Sequence, residues 1–149
     1  MKPIVLYSSK SGNTGKIADE IASELHCESV RVTRSGSADS ANLDSCDLIF
    51  VGTGIHFGNP NEDLVGYLKT VSLKEPKVFA FFVTWGGAGK TDQDVIAKLK
   101  MILGSNGQRV VEDCYVCYGR WNFLRRGHPN GEDAKAARKW ARKIVNNIH

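Results

Sequence analysis

The sequence predicts a doubly wound α/β domain whose five-stranded parallel sheet has the order 2-1-3-4-5. Three observations carry that expectation. Apolar runs of strand length alternate with segments whose apolar residues recur at helical spacing. The middle runs, Leu48-Ile-Phe-Val51 and Val78-Phe-Ala-Phe-Phe-Val83, are apolar throughout, as strands covered on both faces must be. The second run, Glu28 to Thr33, alternates polar and apolar residues, the pattern of a half-exposed edge strand. In that order a ligand sits beyond the carboxyl ends of strands 1, 3 and 4, and Gly-rich or hydroxyl-rich loops leave all three.

The first strand is Ile4-Val-Leu-Tyr7, followed by Ser8-Ser-Lys-Ser-Gly-Asn-Thr14 and a helix with Ile17, Ala18, Ile21, Ala22 and Leu25 on one face. After the edge strand, Ser35 to Asn42 forms a small polar loop. Asp47 to Val51 then runs into Gly52-Thr-Gly-Ile-His-Phe-Gly-Asn-Pro60, and Leu64, Val65, Leu68 and Val71 mark the second helix. The run Val78 to Val83 leads through Trp85-Gly-Gly-Ala-Gly89 to a helix carrying Val95, Ile96, Leu99, Ile102 and Leu103. A last strand is expected from about Arg109 to Cys117, then a long loop from Tyr118 to Gly131. The final helix reaches about Asn147, with Asn130 or Gly131 breaking the chain before it and Glu132 and Asp133 suited to its first turn. Ala137, Trp140, Ala141, Ile144 and Ile148 form its buried stripe. Lys135, Arg138, Lys139, Arg142 and Lys143 form its exposed one. No repeat, low-complexity tract or second domain is visible, so residues 1–149 are expected to form a single domain.

Composition narrows the function classes. No apolar run approaches the roughly 20 residues needed to span a bilayer. Met1-Lys-Pro-Ile leads straight into a strand and leaves no room for a signal peptide, so a cytoplasmic protein is expected. Cys27, Cys46, Cys114 and Cys117 are too scattered for a disulfide framework and should be reduced. The net charge of +4 is uneven: residues 1–116 balance at −2 and residues 117–149 at +6. The basic character therefore belongs to the C-terminal segment, where Arg120, Arg125 and Arg126 enlarge the patch. This fits docking to an acidic protein. Without interleaved aromatics or a known module, nucleic acid is not an expected partner.

The first loop carries the chemistry. A strand, a tight polar turn and a helix start gather backbone N–H groups and the helix dipole in one concavity, which attracts an anion such as phosphate. Ser9, Ser11 and Thr14 can donate hydroxyls, and Gly12 and Asn13 tolerate the positive φ such a nest needs. The same residues also suit an ordinary capped strand–helix turn. Thr84-Trp-Gly-Gly-Ala-Gly-Lys-Thr91 is the rival phosphate loop. However, a Walker A motif needs glycine where Thr84 stands, and no later strand supplies an acid for Mg²⁺. Gly52-Thr-Gly-Ile-His-Phe-Gly58 brushes a dinucleotide fingerprint, with Phe57 in place of the third glycine and the wrong strand before it. Cys114-x-x-Cys117 on an extended strand would point its thiols to opposite faces, against a disulfide or metal role.

Val5 to Ile21 resembles the flavodoxin signature at the aromatic Tyr7 ending the strand and at Ser9, Gly12, Thr14, Ala18 and Ile21. Phe57-Gly58-Asn59 resembles the residue–Gly–Asn turn that the family places beside flavin N5, where a peptide without a Cβ can reorient as N5 gains a proton. Cys117-x-Gly119 with Gly127-x-Pro-Asn130 and an acidic helix start resembles the C-terminal segment of a subgroup of small flavodoxin-like proteins.

The resemblance implies a flavodoxin-like fold that holds flavin mononucleotide (FMN) and shuttles single electrons between a reductase and a partner redox enzyme. It assigns Ser9, Lys10, Ser11, Gly12, Asn13 and Thr14 to the phosphate. Thr53, Gly54, His56, Phe57, Gly58 and Asn59 fall on one side of the flavin, with Trp85, Gly86 and Gly87 on the other. Few acids flank these segments, which implies a flavin potential less negative than is usual in the family.

Gly52 to Leu68 also resembles flavodoxin-like protoporphyrinogen oxidases, but their long insertion near the last strand is missing. Small flavin-dependent quinone or disulfide reductases and a non-redox phosphate-ligand module are the other readings. An electron carrier, with no catalytic or metal-binding residues of its own, is preferred to a stand-alone oxidoreductase.

Overall fold

A computed structural model describes residues 1–34, 42–120, 125 and 127–148. Of the loop expected at Ser35–Asn42, only Asn42 is among them. Trp121, Asn122, Phe123 and Arg126 of the C-terminal segment also lie outside.

The elements follow as β1 (Pro3–Tyr7), α1 (Asn13–Leu25), β2 (Ser29–Arg31), β3 (Leu48–His56), β4 (Asn59–Pro60), α2 (Glu62–Thr70) and β5 (Val78–Trp85). Then come α3 (Thr91–Ser105), β6 (Arg109–Val110), β7 (Tyr115–Tyr118) and α4 (Gly131–Asn147). The sheet runs β2-β1-β3-β5-β6, with β7 also on β5 and β4 folded back on β3. The β1–β2, β1–β3, β3–β5, β5–β6 and β5–β7 pairs are parallel. β6 and β7 together fill the fifth position, so the architecture is the doubly wound 2-1-3-4-5 sheet.

Two departures from the expected elements have physical causes. The last strand is not continuous. Val110 pairs with Phe79, but Tyr115 pairs with Phe82, so the outer strand spends two extra residues over the same stretch of β5. The strand bulges out over 111–114 and re-enters the sheet. β3 is longer than its apolar run and continues through Gly52-Thr-Gly54 to His56. Gly52 permits this because a Cβ there would sit 2.2 Å from the Phe82 ring. β3 then turns back through Phe57 and Gly58, both at positive φ (52° and 79°), the pattern of a two-residue type I′ hairpin.

Alternation along the strands divides the core in two. Ile4, Leu6, Ile49, Val51, Phe79 and Phe81 face Leu64 and Leu68 of α2 and Val95, Leu99 and Leu103 of α3. Val5, Leu48, Phe50, Ala80 and Phe82 face Ile17, Ala18 and Ile21 of α1 and Ala137, Trp140, Ala141 and Ile144 of α4. Cys114, in the bulge before β7, packs on the first face and Cys117, in β7, on the second. All four cysteines are free thiols.

The charged side of α4 faces solvent as its sequence suggests, with Lys135, Lys139, Arg142 and Lys143 exposed, but part of its charge is paired within the chain. Arg138 pairs with Glu20, Arg142 reaches Glu24 at 3.5 Å, and Lys143 lies 2.8 Å from Asp113. Three of the five cations therefore fasten α4 to its neighbours. The helix starts on a capping box in which Asn130 accepts from Asp133 N–H and Asp133 accepts from Asn130 N–H. No helix among the described residues is long and apolar enough to cross a membrane.

Candidate functional site

Three loops leave the carboxyl ends of β1, β3 and β5 and close around a cleft of about 410 Å³. At one end is the start of α1. Its N-cap is Gly12 at φ 88°, a conformation that a Cβ would strain, and no side chain caps the first turn. The orphan N–H groups of that turn and the positive end of the helix dipole are therefore available to an anion. Ser9 shapes the loop without lining the cleft. Its Oγ accepts from Gly12 N–H at 3.0 Å, and its carbonyl accepts from Arg31 at 2.6 Å. Lys10, Ser11, Asn13 and Thr14 do line it. Asn13 Nδ2 donates to Ser11 Oγ (3.0 Å) and to the Arg120 carbonyl (2.8 Å), tying the loop to the segment after β7. The Thr14 and Thr84 hydroxyls meet at 2.8 Å, both buried, joining α1 to β5 beneath the cleft.

The other end is built by the β3–β4 hairpin and the loop after β5. Gly54, Ile55, His56, Phe57 and Gly58 form one wall, with Trp85, Gly86, Gly87 and Ala88 in the facing loop. Thr53 and Asn59 stand behind the wall. Thr53 is wholly buried, its hydroxyl donating to the Gly54 carbonyl (2.8 Å) and accepting from Asn61 N–H (3.1 Å). Asn59 donates to the Phe57 carbonyl across the turn. The His56 ring lies against Gly54, where an added Cβ would stand 3.3 Å from Nε2 and 3.6 Å from Thr14 Oγ1. Loss of hydration lowers the His56 pKa, and the charge of Lys10 lowers it further, so the ring stays neutral near pH 7. Phe57 at the hairpin tip is 97% exposed.

Behind the β5 loop stands an aromatic stack. Trp85 and Tyr118, cross-strand partners, lie nearly parallel with ring centroids 6.5 Å apart. The Arg125 guanidinium sits 4.0 Å over the Tyr118 ring and donates through Nε to the Gly86 carbonyl at 3.4 Å. His128 meets Tyr118 edge-on and holds Asp133 at 2.7 Å. Gly87, at φ 89°, has Arg125 and Tyr118 each 3.0 Å from where a Cβ would be.

Of the residues singled out from sequence, the fold gathers Lys10, Ser11, Asn13, Thr14, Gly54, His56, Phe57, Gly58, Trp85, Gly86 and Gly87 around one cleft. Ser9, Gly12, Thr53 and Asn59 shape its walls from behind. Sequence reading missed Ile55, Thr84, Ala88, Thr91, Gly119 and Arg120 as lining residues. The Cys117-x-Gly119 spacing was the available signal for Gly119, where a Cβ would lie 2.7 Å from Asn13 Nδ2.

The arrangement has an uncapped helix N-terminus at one end and a glycine-rich slot at the other. The residues present fit FMN: hydroxyls and helix N–H groups suit the phosphate, and backbone without Cβ atoms suits close approach to a ring.

The flavodoxin-domain family matches residues 4–123. An uncharacterised protein of Methanocaldococcus jannaschii is 32% identical over 155 residues, which cover 99% of this chain and 100% of that one. A WrbA-like flavodoxin structure from Agrobacterium tumefaciens is 21% identical with a TM-score of 0.79, covering 97% of this chain and 95% of its own. Oxidised flavodoxin 2 from Bacillus cereus is also 21% identical, with a TM-score of 0.76 and 99% of each chain covered.

Proposed function

The chain belongs to the flavodoxin family, and from that premise we propose that it holds FMN non-covalently and relays single electrons between redox proteins. The observation that carries this reading is the cleft itself. An uncapped helix N-terminus stands at one end, and two Cβ-poor loops enclose the other. FMN bound here supplies the redox chemistry, and the protein supplies binding, orientation and electrostatics.

Lys10, Ser11, Asn13 and Thr14, with Ser9 and Gly12 holding the loop in shape, take the phosphate. Gly54, His56, Phe57 and Gly58 flank the ring on one side, with Thr53 and Asn59 bracing that wall. Trp85, Gly86 and Gly87 flank the other. Neutral His56 and the backbone of the β5 loop offer hydrogen bonds, and among the described residues no carboxylate lines the cleft. A site poor in acids repels a reduced, anionic flavin less than an acidic one does, which supports a potential above the usual range for the family. The fifth strand's interruption spans only residues 111–114, which favours a carrier over the porphyrin-oxidising relatives and their long insertion.

Titration with FMN and riboflavin tests the reading. Flavin fluorescence should be quenched at one equivalent of FMN, and riboflavin, lacking the phosphate, should bind at least about tenfold more weakly. The loaded protein should consume no NAD(P)H without a partner. Failure to take up FMN overturns the proposal, and NAD(P)H turnover by the protein alone would make it an oxidoreductase.

A further inference from the structure

We infer that the docking surface for an acidic redox protein is the rim of the cleft around Tyr118 and Arg125, and that the basic face of α4 is not that surface. The inference rests on the electron-carrier reading above and deepens it by locating the partner.

Charge is the first argument. The positive excess of residues 117–149 is divided unequally in the fold. On α4, Arg138, Arg142 and Lys143 face Glu20, Glu24 and Asp113, so much of that helix's charge is spent inside the molecule. At the rim, Arg120 and Arg125 are exposed on the segment following β7, and exposed Lys10 also lines the cleft. Among the described residues, neither Lys10 nor Arg125 has a carboxylate within ion-pair distance. Their field therefore projects outward, where it can steer an acidic protein.

Chemistry is the second argument. Tyr118 is 37% exposed, and its neighbours in the stack are Trp85 and Arg125. Tyr, Trp and Arg are the residue types that dominate binding at protein interfaces.

The third argument is pre-organisation. Arg125 is already stacked on Tyr118 and bonded to the Gly86 carbonyl, and it adopts φ 56°, a left-handed conformation disfavoured for a side-chain-bearing residue. Its guanidinium already has two partners within the chain, so docking should cost less entropy than fixing an unstacked lysine on α4. The stack also connects this rim to the Gly86–Gly87 wall of the cleft, so a partner seated on it lies beside the flavin site.

The test uses an acidic plant-type [2Fe–2S] ferredoxin as probe, with duplex DNA and phosphatidylserine vesicles as competing polyanions. Arg125→Glu and Lys139→Glu make the same change in net charge at the rim and on α4. Binding of the ferredoxin at low salt should weaken about tenfold or more with Arg125→Glu and less than about twofold with Lys139→Glu. Arg125→Lys, which keeps charge but loses the planar stack, should fall between them. Circular dichroism and FMN titration of each variant separate docking from folding and from cofactor uptake. A larger loss with Lys139→Glu, or equal losses, overturns the inference. So does stronger binding of DNA or vesicles than of ferredoxin through Arg125. Normal FMN uptake without ferredoxin binding overturns the docking site alone, whereas absent FMN uptake overturns the carrier reading.

Discussion

Thr14 Oγ1 and Thr84 Oγ1 lie 2.8 Å apart on two buried residues at the cleft wall, so one hydrogen bond ties the start of α1 to the end of β5. The bond joins the elements that carry two of the loops around the cleft. Thr84→Val leaves the Thr14 hydroxyl buried without its partner and should cost about 1–3 kcal/mol. Thermal unfolding should register about 3 °C per kcal/mol in a domain of this size. Thr14→Val combined with Thr84→Val should cost less than the two single changes added together. Strict additivity would show that the hydroxyls do not interact.

Gly119 admits Asn13 where any side chain would collide with it at 2.7 Å. Gly119→Ala should push Asn13 off Ser11 and off the Arg120 carbonyl, loosening the phosphate end of the cleft. We expect FMN affinity to fall about tenfold, or about 1.4 kcal/mol. Fluorescence titration reads it directly, and an unchanged Kd would mean that Asn13 does not organise the site.

His56 binds its proton less tightly in the folded chain than at its ordinary value of 6.5, mainly because burial strips water from the ring. The unfolded chain therefore takes up the proton first as the solution is acidified. The stability from neutral His56 is complete above pH 6.5 and is lost as pH falls below it. Urea midpoints should drop on the acid side in the wild type, and His56→Gln should flatten that dependence. An identical pH profile in both would assign the acid sensitivity to another group.

Burial pushes the Cys27 thiol up to about 11 and the Cys117 thiol up to about 12. Neither is a thiolate at neutral pH, so alkylation of native protein near pH 8 should be slow. Mass spectrometry should find all four cysteines labelled promptly once urea is added. Fast native labelling at Cys117 would contradict its burial beneath α4.

Arg142 and Glu24 join helices that are 118 residues apart in sequence. A double-mutant cycle with Arg142→Ala and Glu24→Ala should give a coupling of about 0.2–1 kcal/mol, because both side chains are partly solvated. The coupling should shrink at high salt. A coupling insensitive to salt would point to packing of the arginine stem.

What the sequence disclosed and what it withheld follow from how local each signal is. Ser9 to Thr14 could be read as a phosphate loop because a strand end, a turn and a helix start are contiguous. The two-faced burial of β3 and β5 was equally plain in their unbroken apolar runs. The break in the outer strand was not, because Val110 and Tyr115 owe their places to pairing with Phe79 and Phe82. The turn at Phe57-Gly58-Asn59 was legible through the family resemblance, but the folding of β3 back onto β4 was hidden for a different reason. Its turn places Phe where Asn or Asp ordinarily announces positive φ. Thr91, Gly119 and Arg120 reached the cleft through sheet register, which no single stretch encodes. The basic stripe of α4 was legible as a solvent face, but its ion pairs were not, because Glu20 and Glu24 lie on the far side of the sequence.

The packing of α1 against α4 sets an order of events during synthesis. α1 carries the start of the cleft, yet its apolar face is covered in part by Ala137, Trp140, Ala141 and Ile144. Until α4 has left the ribosome, Ile17, Ala18 and Ile21 share one wall of the sheet with no second helix. Long-range contacts of this kind slow folding and prolong the exposure of apolar surface. A nascent chain should therefore acquire a settled cleft only with its final helix.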